Sequence, residues 1–201
     1  DVAMRLSESS VQDEKTKTNQ LSWGFPAMGK KKLLVILIQY PDLQAKFSKD
    51  TFESFMNQPG FAGTGSFKDF YLQNSFGQFE IEATVVGWYT AKNGYTTYGR
   101  NSGNGAARPL IAEAIDSAEK MGMDFSQFDN DKNGTMDGLL VIHAGNGAEQ
   151  GSQNQYIWSH RSTLGSQSRT YDGVQIKEYC VTPETRSGVN MVGIGVFVHE
   201  F

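Results

Sequence analysis

The chain has 201 residues, 38% hydrophobic and 20% charged, with a net charge of −4. This length and composition suit a soluble globular protein with one substantial core. The acidic balance leaves Lys30-Lys31-Lys32 as the basic run, too little for a nucleic-acid face, and the longest apolar run, residues 33–38, is far too short to span a bilayer.

Residues 1–28 are polar and mixed in charge, and are read as a tail or the remnant of a pro-segment ahead of one domain over residues 29–201. Residues 1–20 contain no apolar h-region, so no signal peptide is read there, and secretion would require one that has been removed. Residues 33–38 are continuously aliphatic and suit a central strand buried on both faces. Ser48 is a helix cap ahead of Phe52, Phe55 and Met56, which share a helical face. Residues 60–65 form a loop, and residues 66–74 a second short helix carrying Phe67, Phe70 and Tyr71. Residues 78–88 alternate, with Phe79, Ile81, Ala83 and Val85 on one side, as in a half-exposed strand. Residues 101–105 make a glycine-rich turn. Residues 106–121 repeat apolar positions with helical period, with Pro109 in the first turn and Gly122 just past the end. Further strands are expected at residues 138–144, 156–160 and 174–181. Alternating strands and helices followed by a strand-like final third predict an α/β or α+β domain with a mixed sheet.

The clearest local motif is Asp129-Asn130-Asp131-Lys132-Asn133-Gly134-Thr135-Met136-Asp137. Asp129, Asp131, Asn133 and Asp137 place oxygens at loop positions 1, 3, 5 and 9, and the Thr135 carbonyl supplies position 7. Gly134 permits the sharp turn. A hard cation wants six to eight such oxygens, so the segment is read as a Ca²⁺ loop with a stabilising role. Position 12 is Leu140, not a bidentate glutamate, and a strand follows, so this is not an EF-hand. A plain Asp/Asn/Gly turn is the alternative.

His199-Glu200-Phe201 matches the front half of an H-E-x-x-H zinc motif, in which two histidines four apart hold Zn²⁺ and the glutamate acts on water. Residues 192–201 are read as the helix that would carry it; the alternative is a buried strand, since Gly193, Gly195 and β-branched residues weaken helical propensity. Residues 172–182 precede that helix, and are either a sheet edge that pairs with extended substrate or an ordinary interior strand. His143 and His160 lack a second ligand at zinc spacing and are expected to be packed or hydrogen-bonded. Cys180, the single cysteine, excludes an internal disulfide framework and is expected to be buried and inert. The glycine-rich residues 145–151 have no Gly-Lys-Ser/Thr, which argues against a phosphate cradle.

Taken together, several pieces resemble the secreted zinc metallopeptidases of the immune inhibitor A family. They are Phe128-Asp129-Asn130-Asp131 through Asp137-Gly138; Leu140-Val141-Ile142-His143-Ala144-Gly145 with Gly147-Ala148-Glu149; Ile157-Trp158-Ser159-His160; Tyr179 with Pro183-Glu184; and Gly193-Ile194-Gly195-Val196-Phe197-Val198-His199-Glu200-Phe201. Upstream, residues 34–42, Asn74-Ser75-Phe76-Gly77 and Gly87-Trp88-Tyr89 join them. The resemblance implies the N-terminal subdomain of a zincin-like catalytic domain, made as a zymogen and secreted, acting on protein or peptide substrates. It implies His199 as the first zinc ligand and Glu200 as the general base. The second histidine and the remaining ligand would follow Phe201, so the chain as given is expected to bind no catalytic zinc tightly and to be inactive alone. The rival expectation is a non-catalytic, calcium-stabilised extracellular binding module that keeps the fold without the chemistry. Substrate preference and oligomeric state are not legible.

Overall fold

The computed structural model describes residues 25–99, 106–150 and 155–201. The expected glycine-rich turn at residues 101–105 lies outside them. Strand β1 (Gly29–Gln39) is the centre of the molecule: its six aliphatic residues 33–38 are completely buried. Leu34, Ile36 and Ile38 point to one face, and Leu33, Val35 and Leu37 to the other. Each such side chain contributes about 1.5–3 kcal/mol when removed from water, which is why this run can only be a strand covered on both sides.

Helices α1 (Lys49–Asn57) and α2 (Phe67–Asn74) follow. Ser48 caps α1 by accepting from the Thr51 amide at 3.1 Å. Ser66 and Asp69 form a reciprocal capping box on α2. Strand β2 (Phe79–Thr90) then pairs in parallel with β1 and alternates as its sequence predicts. Helix α3 (Ala107–Lys120) crosses to the opposite face, and Gly122, at φ +81°, ends it. Strand β3 (Leu139–Asn146) joins the other side of β1, also in parallel.

The final third departs from expectation in two places. Residues 156–159 do not form a strand; the strand is β4 (His160–Thr163). Residues 174–181 are not one strand either. They divide into β6 (Val174–Ile176), which makes a hairpin with β5 (Arg169–Tyr171), and the start of β7 (Glu178–Arg186). Strand β7 pairs in parallel with β3, while β4 runs antiparallel along its first half and β8 (Asn190–Met191) along its end. The sheet order is therefore β2-β1-β3-β7-β4, with β8 beside β7. Strand β7 is interior, which settles the two readings of residues 172–182 against the edge; the edge on this side is β4.

Helix α4 (Ile194–Glu200) follows β8, which confirms helix over strand for this run. Helix α3 packs on one face of the sheet, and α1, α2 and α4 on the other, giving the expected α/β mixed sheet, parallel through β2-β1-β3-β7. Phe25, on the tail side of the boundary drawn at residue 28, is buried against Phe79 and Phe201.

The outer side of β2 is closed by side chains. Asn57 donates to the Ala83 carbonyl and accepts from the Ala83 amide, both at 2.9 Å. The Ser75 hydroxyl does the same for Phe79, accepting from its amide at 2.9 Å and donating to its carbonyl at 3.3 Å.

Glu184 on β7 is completely buried. Its carboxylate accepts from the amides of Lys46 (2.5 Å), Phe47 (2.6 Å) and Gly145 (3.1 Å). Glu184→Gln turns an amide donor toward this ring of three donors. Leaving buried donors unmatched should lower unfolding stability by about 3 kcal/mol in urea titrations. A change below about 0.5 kcal/mol, the size of an ordinary surface substitution, would refute this role.

Candidate active site

Strand β7 leaves its ladder at Arg186 and turns through Ser187 and Gly188, both at positive φ. The turn is held from two sides. Gln150 donates to the Thr185 carbonyl at 3.0 Å and accepts from the Ser187 amide. Asn146 accepts from the Thr185 hydroxyl at 2.9 Å and from the Gly188 amide at 2.6 Å. Val192 then donates to the Glu184 carbonyl at 3.0 Å, and Gly193 in extended conformation opens α4.

Helix α4 is fixed by Phe197, which is fully buried against Phe55, and by Phe201, which meets Phe25, Phe67 and Tyr71. Anchors four residues apart lie on one helical face, so His199, between them in sequence, is turned outward. Its ring is exposed and makes no hydrogen bond among the described residues. Glu200 is half-buried, and burial pushes its carboxyl up; Glu149 adds to this, while His199 and His160 oppose it. The Cys180 thiol donates to the Glu200 carbonyl at 2.9 Å, and Arg161 to that of Phe201 at 2.6 Å. Burial pushes the Cys180 thiol up to about 12. It therefore stays protonated at neutral pH, inert as the sequence predicts.

The remaining two histidines are packed and hydrogen-bonded, as expected. His160 Nδ1 contacts the Trp158 carbonyl at 2.7 Å and Nε2 the Tyr179 hydroxyl at 3.0 Å. A carbonyl can only accept, so Nδ1 carries the proton and Nε2 accepts from Tyr179. His143 lies 3.0 Å from the Ala144 carbonyl through Nδ1, and its buried Nε2 has no hydrogen-bond partner among the described residues. Glu149 accepts from the Ser159 hydroxyl at 2.7 Å and amide at 3.3 Å. Glu149 also lines a cavity of about 610 Å³ with Gln150, Arg186, Ser187 and the first turn of α4. No sequence spacing singled out Glu149, Arg186 or Glu184 for a role, because each is brought to the site by strand pairing across distant parts of the chain.

The carboxylate loop lies at the opposite end of β3. It gathers Asp129, Asp131 and Asp137, whose oxygens lie within 4.8 Å of one another. Asp137 is buried, and its carboxyl is pushed up to about 6 by desolvation, with Asp131 and Asp129 adding to the shift. Asn133 donates to Asp131 at 2.9 Å and accepts from the Thr135 amide at 2.8 Å. Thr135 itself bridges to Gln175. Asn130 clamps the loop to β1 through the Lys32 amide and carbonyl, at 2.8 and 3.1 Å. The loop thus joins β1, the β5–β6 hairpin and β3.

Residues 24–201 match the family model described as "Immune inhibitor A peptidase M6, catalytic domain". Immune inhibitor A of Bacillus thuringiensis subsp. alesti is 28% identical over 225 aligned positions, which cover 86% of this chain and 32% of that protein. The pre-pro-metalloprotease PrtV of Vibrio cholerae serotype O1 (strain M66-2) is 26% identical over 176 positions, covering 67% of this chain and 19% of that protein. The chain therefore spans about a third and about a fifth of the lengths of these two relatives.

Burial lowers His143 to about 4 from an ordinary 6.5. A histidine whose folded pKa is depressed adds stability above its unfolded pKa, and that stability is lost as pH falls through 6.5 toward 4. His143→Asn should flatten this acid limb, which is worth at most about 3 kcal/mol. Urea midpoints measured from pH 7.5 to 4.5 check it; parallel slopes in both proteins would refute the assignment.

Proposed function

The chain belongs to the immune inhibitor A peptidase family, and from that membership and the placement of α4 we propose that the protein of which it is part is a secreted zinc endopeptidase. The observation that carries this reading is the free, outward imidazole of His199 beside the half-buried Glu200 carboxyl. An imidazole nitrogen at a helix surface with no hydrogen bond among the described residues is a donor of the kind Zn²⁺ takes, so the residues present fit the ion. His199 would hold it. When bound, Zn²⁺ lowers the pKa of a water to about 7 and polarises a scissile carbonyl.

The chain's own residues do the rest. Glu200 takes a proton from the attacking water and passes it to the leaving amine. Phe197 and Phe201 hold the helix on the core so that His199 and Glu200 keep their relation. Strand β4, the outermost described strand on this side, offers the backbone edge on which an extended peptide can lie. The name of the Vibrio relative, a pre-pro-metalloprotease, suits synthesis as a precursor, and none of the described helices is long and apolar enough to cross a membrane.

We also assign Ca²⁺ to Asp129, Asp131, Asn133, Asp137 and the Thr135 carbonyl, where it offsets the mutual repulsion of three clustered carboxylates. Its role is structural, because the loop ties β1 to β3 and lies far along the sheet from α4.

In the full-length protein, elemental analysis should find zinc, and Glu200→Gln should keep the zinc while kcat on a protein substrate falls by at least about 10²-fold. His199→Ala should lose both zinc and turnover. Unchanged turnover in Glu200→Gln would end this reading. Removing calcium with a chelator should lower Tm and its return restore it, whereas Asp131→Asn should blunt the response; a Tm indifferent to Ca²⁺ in the parent protein would refute the loop assignment.

A further inference from the structure

We propose that the cavity at the entry to α4 is a side-chain subsite that selects an acidic residue of the substrate, with Arg186 as its specificity-determining residue. This rests on the peptidase reading above. The cavity of about 610 Å³ has two unlike walls. One is the first turn of α4 and its approach, Val192, Gly193, Gly195 and Val196, which is apolar and short. Among the described residues, nothing outside the local chain lies within 4 Å of where a Cβ would stand on Gly193 or Gly195, so the two glycines leave space where other residues would project. The second wall is the β7–β8 turn with Glu149 and Gln150.

Arg186 sits in that turn with its backbone fixed and its side chain free. Gln150 binds the residue on either side of it, Thr185 and Ser187, and Asn146 binds Thr185 and Gly188. Ser187 holds a left-handed conformation at φ +56° that a non-glycine residue adopts at a cost. Two amide side chains and one strained residue thus set the position from which a single guanidinium extends. That guanidinium is exposed and has no hydrogen bond or ion pair among the described residues. Glu149, the other charge on the cavity, already accepts twice from Ser159. Glu149 is thus turned toward Ser159, and the charged group on the cavity without a hydrogen-bonded partner among the described residues is the Arg186 guanidinium. A glutamate would lay its two methylenes on Val192 and Val196 and present its carboxylate oxygens to the guanidinium fork.

Quenched fluorescent peptides that differ only in Glu, Gln or Lys at each position around the cleaved bond test this on the full-length protein. The parent protein should cleave the Glu peptide with kcat/KM about tenfold above the Lys peptide at one position, as expected for one charge-assisted contact. Arg186→Glu should reverse that order at the same position. Gly195→Leu should fill the cavity and erase the preference; leucine is a better helix former than glycine, so the helix is not weakened. Equal rates for Glu, Gln and Lys at every position, a preference for Lys, or a preference that survives Arg186→Glu would overturn the subsite while leaving the peptidase standing. No cleavage of any peptide by the zinc-loaded parent protein would overturn the peptidase reading and the subsite with it.

Discussion

Much of this molecule hangs on one buried carboxylate. Glu184 sits on the most connected strand of the final third, without access to water, and its oxygens gather amides from the segment after β1 and from the end of β3. Its own carbonyl accepts from the amide of Val192, two residues before the helix that carries His199 and Glu200. Side chain and backbone of one residue therefore tie the end of the central sheet to the start of the candidate catalytic helix. A buried charge is costly unless every lone pair is met. The fold supplies three backbone donors, which cannot rotate away as side chains can, and so couples the start of α4 to the sheet.

The second constraint acts at the other end of the sheet. Three carboxylates are packed within 4.8 Å, held by Asn130 on β1 and by the hairpin at Gln175. Charge repulsion there works against the turn between the short helical segment at residues 125–128 and β3. A bound cation would convert this weak point into a clasp. The sheet is thus secured at both ends by carboxylates: at one by three backbone amides, at the other by a loop shaped for a metal.

What could be read from the sequence follows the range of the forces involved. The aliphatic residues 33–38, the alternation at residues 78–88, and the cap at Ser48 all express local physics, and the structure shows them where the pattern puts them. The His199-Glu200 pair is legible for the same reason, since two neighbours on one helix need no long-range contact to be recognised. Strand β4 was displaced by a few residues because Trp158 and Ser159 look like strand residues but are spent on contacts to His160 and Glu149. The interior position of β7 was open in the sequence, since a buried strand and a pairing edge share the same alternation. Glu184 was illegible as an anchor: nothing near it reveals donors that lie 137 and 39 residues away.

The closure of β2 by Asn57 and Ser75 has a topological meaning. A sheet ordinarily has two growing ends, and either can recruit a foreign strand, whether substrate, neighbour or aggregate. Here two side chains occupy the backbone groups of Ala83 and Phe79 on the far end. At those positions an arriving strand would have to displace bonds already made; at the β4 end Arg108 holds the carbonyl of Thr163, the last residue of that strand, at 2.9 Å. The two margins of the sheet thus differ in kind: β2 is closed at both amide and carbonyl of two residues, which discourages self-association there, while β4, where Arg108 takes the Thr163 carbonyl, is the margin of the proposed peptide edge.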